Sequence, residues 1–254
     1  MARKILSIVL WVATAAALVV LFIFARENYL EAPVNGINLI PNSDSGFVRR
    51  NELRDEIGGF CSHKTIGTVN MVAIQRFLDG NPWIESNTSY IDLDGMLQVN
   101  YTEYEPSFRV FGKNGNSVYI TDEGIVIPSS HRYIPYVLIA SGNFDLQNDS
   151  TAYKLNDSLP DGQNLIDALH WYKAIEGNPF IRNCIGQLYC NSKSQFELTV
   201  KGIDAKVTVG DTCDAADKLN RLEIFIKQKA DSPETQALKN INLNYKNQIV
   251  CTKR

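Results

Sequence analysis

Gly95-Met96-Leu97-Gln98-Val99-Asn100-Tyr101-Thr102-Glu103-Tyr104-Glu105-Pro106 is the clearest strand signal in the chain. Leu97, Val99 and Tyr101 alternate with Gln98, Asn100 and Thr102. Successive side chains of a strand point to opposite sides, so this pattern gives one apolar and one wet face. The spacing predicts a strand over 96–105, stopped by Pro106, which has no N–H to give to a ladder. Immediately upstream, 83–91 reads as a second strand, with Asp92 to Gly95 as the turn between the two. Trp83, opening that strand, is expected to bury its ring against a helix over 68–78, where Met71, Ile74, Phe77 and Leu78 share one face. Gly80-Asn81-Pro82 ends the helix, because proline cannot continue it. An earlier helix over 47–57 has Ser43 to Ser45 as cap candidates and Gly58-Gly59 as its stop. A strand over 34–40 precedes it. The order β-α-α-β-β describes a small domain with two helices on one face of a short sheet.

Upstream lies a different texture. Residues 5–25 carry no charge, and most are Ile, Leu, Val, Ala, Phe or Trp. About 20 residues rising ~1.5 Å each cross a hydrocarbon core of about 30 Å. The run exceeds the apolar core of a cleaved signal peptide, and Phe22-Ile23-Phe24 sits where small residues are needed for cleavage. It reads as a retained anchor over 5–25 behind a cytosolic tip of 1–4, followed by a short linker over 27–33. Arg3 and Lys4 precede the run, whereas Glu27 and Glu31 follow it. The positive-inside rule therefore places the N-terminus in the cytosol and the bulk outside.

The whole chain of 254 residues has a net charge of −3, with 44% hydrophobic and 21% charged residues. That is ordinary globular composition, not that of a disordered chain. Because the basic leader offsets part of the total, the exported body is acidic. No basic face suited to nucleic acid is expected.

After Pro106, 118–120 and 125–127 flank Thr121-Asp122-Glu123-Gly124, a hairpin signal. A strand over 136–140 follows, then a polar, turn-rich loop over 142–161. A helix over 163–176 places Leu165, Leu169 and Tyr172 at helical spacing. Strands are read at 185–190, 195–201 and 205–209. A helix over 214–229, capped by Asp211 or Thr212, carries the stripe Ala215, Leu219, Leu222 and Ile226. Ile241, Leu243, Tyr245, Ile249 and Cys251 share one parity, which predicts a closing strand over 241–251. Such a strand is either interior or at an edge, and an edge is a template for adding another chain's strand.

Catalytic signatures are absent from the sequence: no GxSxG, no HExxH and no glycine-rich phosphate loop. Asp92 and Asp94 read as a turn, and Glu103 and Glu105 as solvated charges at a strand end. His63, His131 and His170 are far apart in sequence, so no zinc site is expected. Cys61, Cys184, Cys190, Cys213 and Cys251 are odd in number, which excludes a complete set of internal bridges. They read as small buried apolar residues, with disulfides as the alternative. Neither a cofactor nor a metal is expected.

Taken in order, these stretches resemble the bacterial FtsQ/DivIB division family. The residues that carry the resemblance are Asn81-Pro82-Trp83-Ile84-Glu85, then Leu97, Val99, Tyr101, Glu103 and Pro106 of the strand quoted first. Next come Asp122 and Gly124 of the hairpin, with Pro128 beyond it, and the closing run from Ile241 through Leu243 and Tyr245 to Val250. Asn242 and Asn244 stand where Asp and Arg are common in that family. The resemblance implies an α+β fold: a single N-terminal membrane helix, a POTRA domain over 33–106 and a β-domain with flanking helices over 107–254. It also implies a non-enzymatic scaffold at the division septum, linking FtsB-like and FtsL-like single-pass partners to the septal wall synthases. The partner site is then expected at Leu243, Tyr245, Lys246, Asn247 and Ile249, beside Leu222 and Phe225 of the neighbouring helix. The alternative is an exported, membrane-anchored ligand-binding or hydrolytic domain, which a deep pocket around His170 or Glu103 would favour.

Overall fold

The computed structural model describes residues 2–43, 45–147, 150–156, 158, 162–229 and 232–254. Its first element, α1 (Ala2–Glu31), is one unbroken helix of 30 residues. Within it, Val9–Glu31 is long and apolar enough to cross a membrane; residues 9–28 are exposed along their whole length, and only Tyr29 and Leu30 at the far end are half-buried. The linker expected over 27–33 is not there. The helix runs to Glu31, and strand pairing begins at Gly36. The chain divides into two compact units, 1–103 and 104–254.

In the first unit, β1 (Gly36–Pro41), α2 (Arg50–Cys61), α3 (Met71–Asp79), β2 (Ile84–Ile91) and β3 (Met96–Glu103) follow α1. The sheet order is β1-β3-β2. β1 runs parallel to β3, with Leu39 opposite Val99, while β2 is antiparallel to it, with Ser89 opposite Val99. The strict alternation of β3 is realised: Leu97, Val99 and Tyr101 are buried. They close a core with Leu39, Leu53, Ile57, Ile74, Leu78 and Ile84.

Three local expectations need correction. First, α2 begins at Arg50, and its N-cap residue Arg49 makes no side-chain cap bond. Instead Glu103 accepts the N–H groups of Phe47 and Val48, at 2.9 and 3.1 Å. Ser43 Oγ accepts the N–H of Glu103 at 2.9 Å, and Asp44, among the cap candidates, lies outside the described residues. Second, α2 continues through Gly58-Gly59 to Cys61. Glycine costs a helix about 1 kcal/mol relative to alanine, which tertiary burial of Leu53 and Ile57 outweighs. Third, Trp83 is half-buried and stands outside the core. Asn81 Oδ1 accepts its N–H at 3.1 Å, which keeps Trp83 in the turn, and Ile84 takes the first core position of β2.

The second unit is built on a ten-stranded sheet. Its strands are β4 (Phe108–Phe111), β5 (Ser117–Ile120), β6 (Ile125–Pro128), β7 (Leu138–Gly142), β8 (Tyr153–Lys154), β9 (Ile185–Cys190), β10 (Phe196–Val200), β11 (Ile203–Gly210), β12 (Leu238–Asn242) and β13 (Val250–Lys253). The order across the sheet is β13-β12-β11-β10-β9-β7-β4-β5-β6-β8. The β5–β6 hairpin forms as read, and its turn places Gly124 at φ +76°, a conformation that costs a Cβ-bearing residue more than glycine. Among the described residues, four helices complete the unit: α4 (Gly162–Glu176), α5 (Pro179–Cys184), α6 (Ala215–Lys229) and α7 (Pro233–Gln236). Leu165, Ala168 and Trp171 of α4, Ile181 of α5, and Leu219 and Leu222 of α6 share one core with Phe108, Ala140, Leu188, Leu198 and Val207 of the sheet.

β4 and α7 were not anticipated, and neither were two further features. α5 is a short helix starting at an Asn178-Pro179 pair, where the Asn178 side chain accepts the N–H groups of Phe180 and Ile181, both at 3.1 Å. The loop expected over 142–161 contributes Phe144 and Leu146 to the core and β8 to the sheet edge. Residues 148, 149, 157 and 159–161 of that loop lie outside the described residues.

Candidate interaction edge

The closing strand expected over 241–251 is two strands. β12 ends at Asn242, residues 243–249 form a loop, and β13 returns antiparallel with Cys251 opposite Ile241. The break has a local cause. Leu243 still donates its N–H to Thr208 O at 2.9 Å, extending the pairing with β11. One residue on, Asn242 Oδ1 accepts the N–H of Asn244 at 2.9 Å, an Asx turn that bends the chain away. Asn247 then adopts φ +59°, a left-handed conformation that asparagine tolerates better than most residues.

Arg221 of α6 holds this loop. Its guanidinium donates to Tyr245 O and Gln248 O, both at 2.8 Å, and to Leu243 O at 3.1 Å. Asp217, one turn back on α6, accepts from Nε at 2.9 Å and fixes the fork. The planar five-donor head of arginine suits this task; the ammonium of lysine is a point donor. The start of α6 is fixed by Lys218, only 5% exposed, whose Nζ donates to Asp211 O and Oδ1, both at 2.9 Å. That hydrogen bond holds the Asp211 carboxyl below its usual range.

The expected partner residues therefore separate into three groups. Tyr245, at 49% exposure, lies beside exposed Lys246 and Asn247 on the loop. Ile249 and Phe225 are partly buried against the core. Leu222 and Leu243 are 0% exposed and belong to the core. The exposed main-chain edge is β13, whose four residues are all exposed and which ends the sheet order. Exposed Lys239, Lys246, Lys253 and Arg254 surround it, and the nearest ion pair, Arg254 to Asp204, is 3.6 Å long and open to solvent. Sequence reading missed β13 and Arg221. The signal for the first was Asn242, Asn244 and Asn247, three turn-forming residues within a supposed strand.

The groups weighed for other chemistry resolve locally. Asp92 Oδ1 accepts the N–H groups of Asp94 and Met96, at 3.0 and 2.9 Å, and Oδ2 accepts from Gln98 at 2.7 Å. These bonds, that from Gln98 foremost, lower its carboxyl. Glu103 is not a solvated charge. It is 3% exposed, and burial raises its carboxyl against the opposing pull of the Val48 and Phe47 amides. His63, His131 and His170 are exposed. Among the described residues, no group of three or more His, Cys, Asp or Glu is placed to hold a metal. None of the five cysteines is in a disulfide; Cys190 is buried and Cys61 and Cys184 partly so, whereas Cys213 and Cys251 are exposed, contrary to the buried reading.

A family model described as "FtsQ/DivIB, C-terminal related" matches residues 105–252, the span of the ten-stranded sheet and its helices. The chain belongs to that family. FtsQ/DivIB membership points to a role in cell division, and the family is a non-enzymatic one. Its apolar N-terminal helix is compatible with a single-pass anchor. No curated protein matches the chain.

Proposed function

We propose that this FtsQ/DivIB-family chain is a single-pass, non-enzymatic scaffold of septum assembly. In this reading α1 anchors it in the cytoplasmic membrane, N-terminus in the cytosol. The two units stand outside, the first as a POTRA domain. β13 receives an extended segment of an FtsB-like partner as a further strand, with an FtsL-like protein alongside, and the assembly reaches the septal wall synthases. The carrying observation is the C-terminal edge: a solvent-facing terminal strand next to a loop that holds Tyr245 outward. An edge of this kind supplies main-chain hydrogen bonds for alignment, and side chains supply choice. Tyrosine combines large apolar area with a polar tip and recurs among binding hot spots. The lysines and arginine around β13 favour a partner segment that carries acids.

Two measurements test it. A fluorescent fusion of the full chain should form a midcell band in dividing cells; uniform membrane signal would sink the division assignment. Tyr245→Ala should abolish capture of the FtsB-like protein while circular dichroism stays unchanged. Capture at wild-type affinity would remove the C-terminal edge from consideration.

A further inference from the structure

The first unit is tied to the outer end of α1 without slack. Tyr29 Oη donates to Asp92 O at 2.8 Å. Gly67 N–H donates to Leu30 O at 2.8 Å and Ile66 N–H to Ala32 O at 2.9 Å. Asn35 N–H donates to Gly95 O at 2.9 Å, and Asn35 Nδ2 to Asp94 O at 2.6 Å. Gly67 makes a close approach here, since a Cβ on it would come within 3.1 Å of Leu30 O. The β2–β3 turn and the loop 62–68 are thus both bound to the last helical turn and the residues just after it.

Helix geometry converts this attachment into a height. The uncharged run ends at Ala25. Tyr29 lies four residues further, about 6 Å along the axis at ~1.5 Å per residue. Side chains on a helix lean toward its N-terminus, so the Tyr29 ring points back toward the hydrocarbon. The headgroup layer on each side of a bilayer is about 5–7 Å thick. The carbonyl of Asp92, held by Tyr29, therefore sits at headgroup level. Next to it, at the tip of the turn, is Leu93, a leucine 92% exposed. The charges nearby are mixed: Arg26, His63 and Lys64 against Glu27, Glu31 and Asp94. No net attraction to anionic lipid is needed.

We propose that the β2–β3 turn is a membrane-seating tip, in which Leu93 enters the headgroup–hydrocarbon boundary of the bilayer that α1 spans. The inference rests on α1 being a retained anchor. With α1 fixed through Tyr29, Leu30 and Ala32, a second contact at Leu93 sets the tilt of the first unit relative to the membrane.

The test uses the full chain in phosphatidylcholine vesicles. The wild type carries Trp11 inside the apolar run, so quenching by lipids brominated deep in the acyl chain reports the anchor itself. Leu93→Trp adds one fluorophore at an exposed site, where circular dichroism should not change. The difference emission between variant and wild type should be blue-shifted, and quenched most by lipids brominated near the glycerol. Water-like, unquenched difference emission together with a quenched Trp11 would overturn the seating tip and leave the anchor standing. An unquenched Trp11 would overturn both.

Discussion

Arg221 and Glu103 organise the two units from opposite chemistries. Arg221 spends its donors on three loop carbonyls and one carboxylate. Hydrogen bonds that involve a charged group are worth about 1.5–3 kcal/mol net. Arg221→Ala should therefore speed hydrogen exchange across 245–249 and weaken partner capture with Tyr245 still in place. Arg221→Lys should recover little, because one ammonium cannot span the carbonyls. Glu103 carries its charge in a buried site, where burial raises its carboxyl above the usual range. A folded-state pKa above the unfolded one gives stability that is full below the unfolded value and lost as pH rises through the folded value. Stability of the first unit should thus decline as pH rises above the ordinary carboxylate range, and Glu103→Gln should flatten that part of the curve in thermal melts of the detergent-solubilised chain. Trp171, fully buried in the second unit's core, should cost about 3–5 kcal/mol when truncated to alanine. Half-buried Trp83 should cost clearly less, read as the two melting midpoints. The sequence reading of Glu103 as a solvated charge was wrong, although the signal for its burial was present: it shares parity with Leu97, Val99 and Tyr101. The role of Arg221 was not legible: the loop carbonyls it holds lie 22 to 27 residues away and meet it only after the sheet closes.

At the scale of elements, periodicity located most strands because burial on one face imposes a period of two on the sequence, but it passed over β4 and β8, which are four and two residues long. It failed where a side chain replaced the ladder. Asn242 closed an Asx turn inside what parity presented as one strand, and Asn178 began α5 where only a connection was read. The hairpin that results makes a test that a continuous strand would not. Alternate residues of an edge strand direct their N–H groups inward and outward. Proline placed in turn at Val250, Cys251, Thr252 and Lys253 should divide by parity. At outward positions it should abolish strand addition and leave the melting midpoint intact. At inward positions it should loosen the pairing with β12. Equal effects at all four positions would mean that β13 is only structural.

For the whole molecule, the ten-stranded sheet has two unlike ends. One stops at β8, two residues long, with Lys154 exposed; the other stops at β13, four residues and exposed throughout. Very short edges bearing lysine discourage further pairing. Among the described residues, β13 is thus the open valence of this sheet, and a strand added there would leave no comparably open end on it. A sheet open at both ends can polymerise into a ribbon, but a sheet open at one end forms a capped unit. If β13 is the partner's seat, a second copy pairing there edge to edge competes with the partner for the same valence. Raising the concentration of the chain then lowers the fraction available for assembly, and adding the partner strand dissolves the self-paired form.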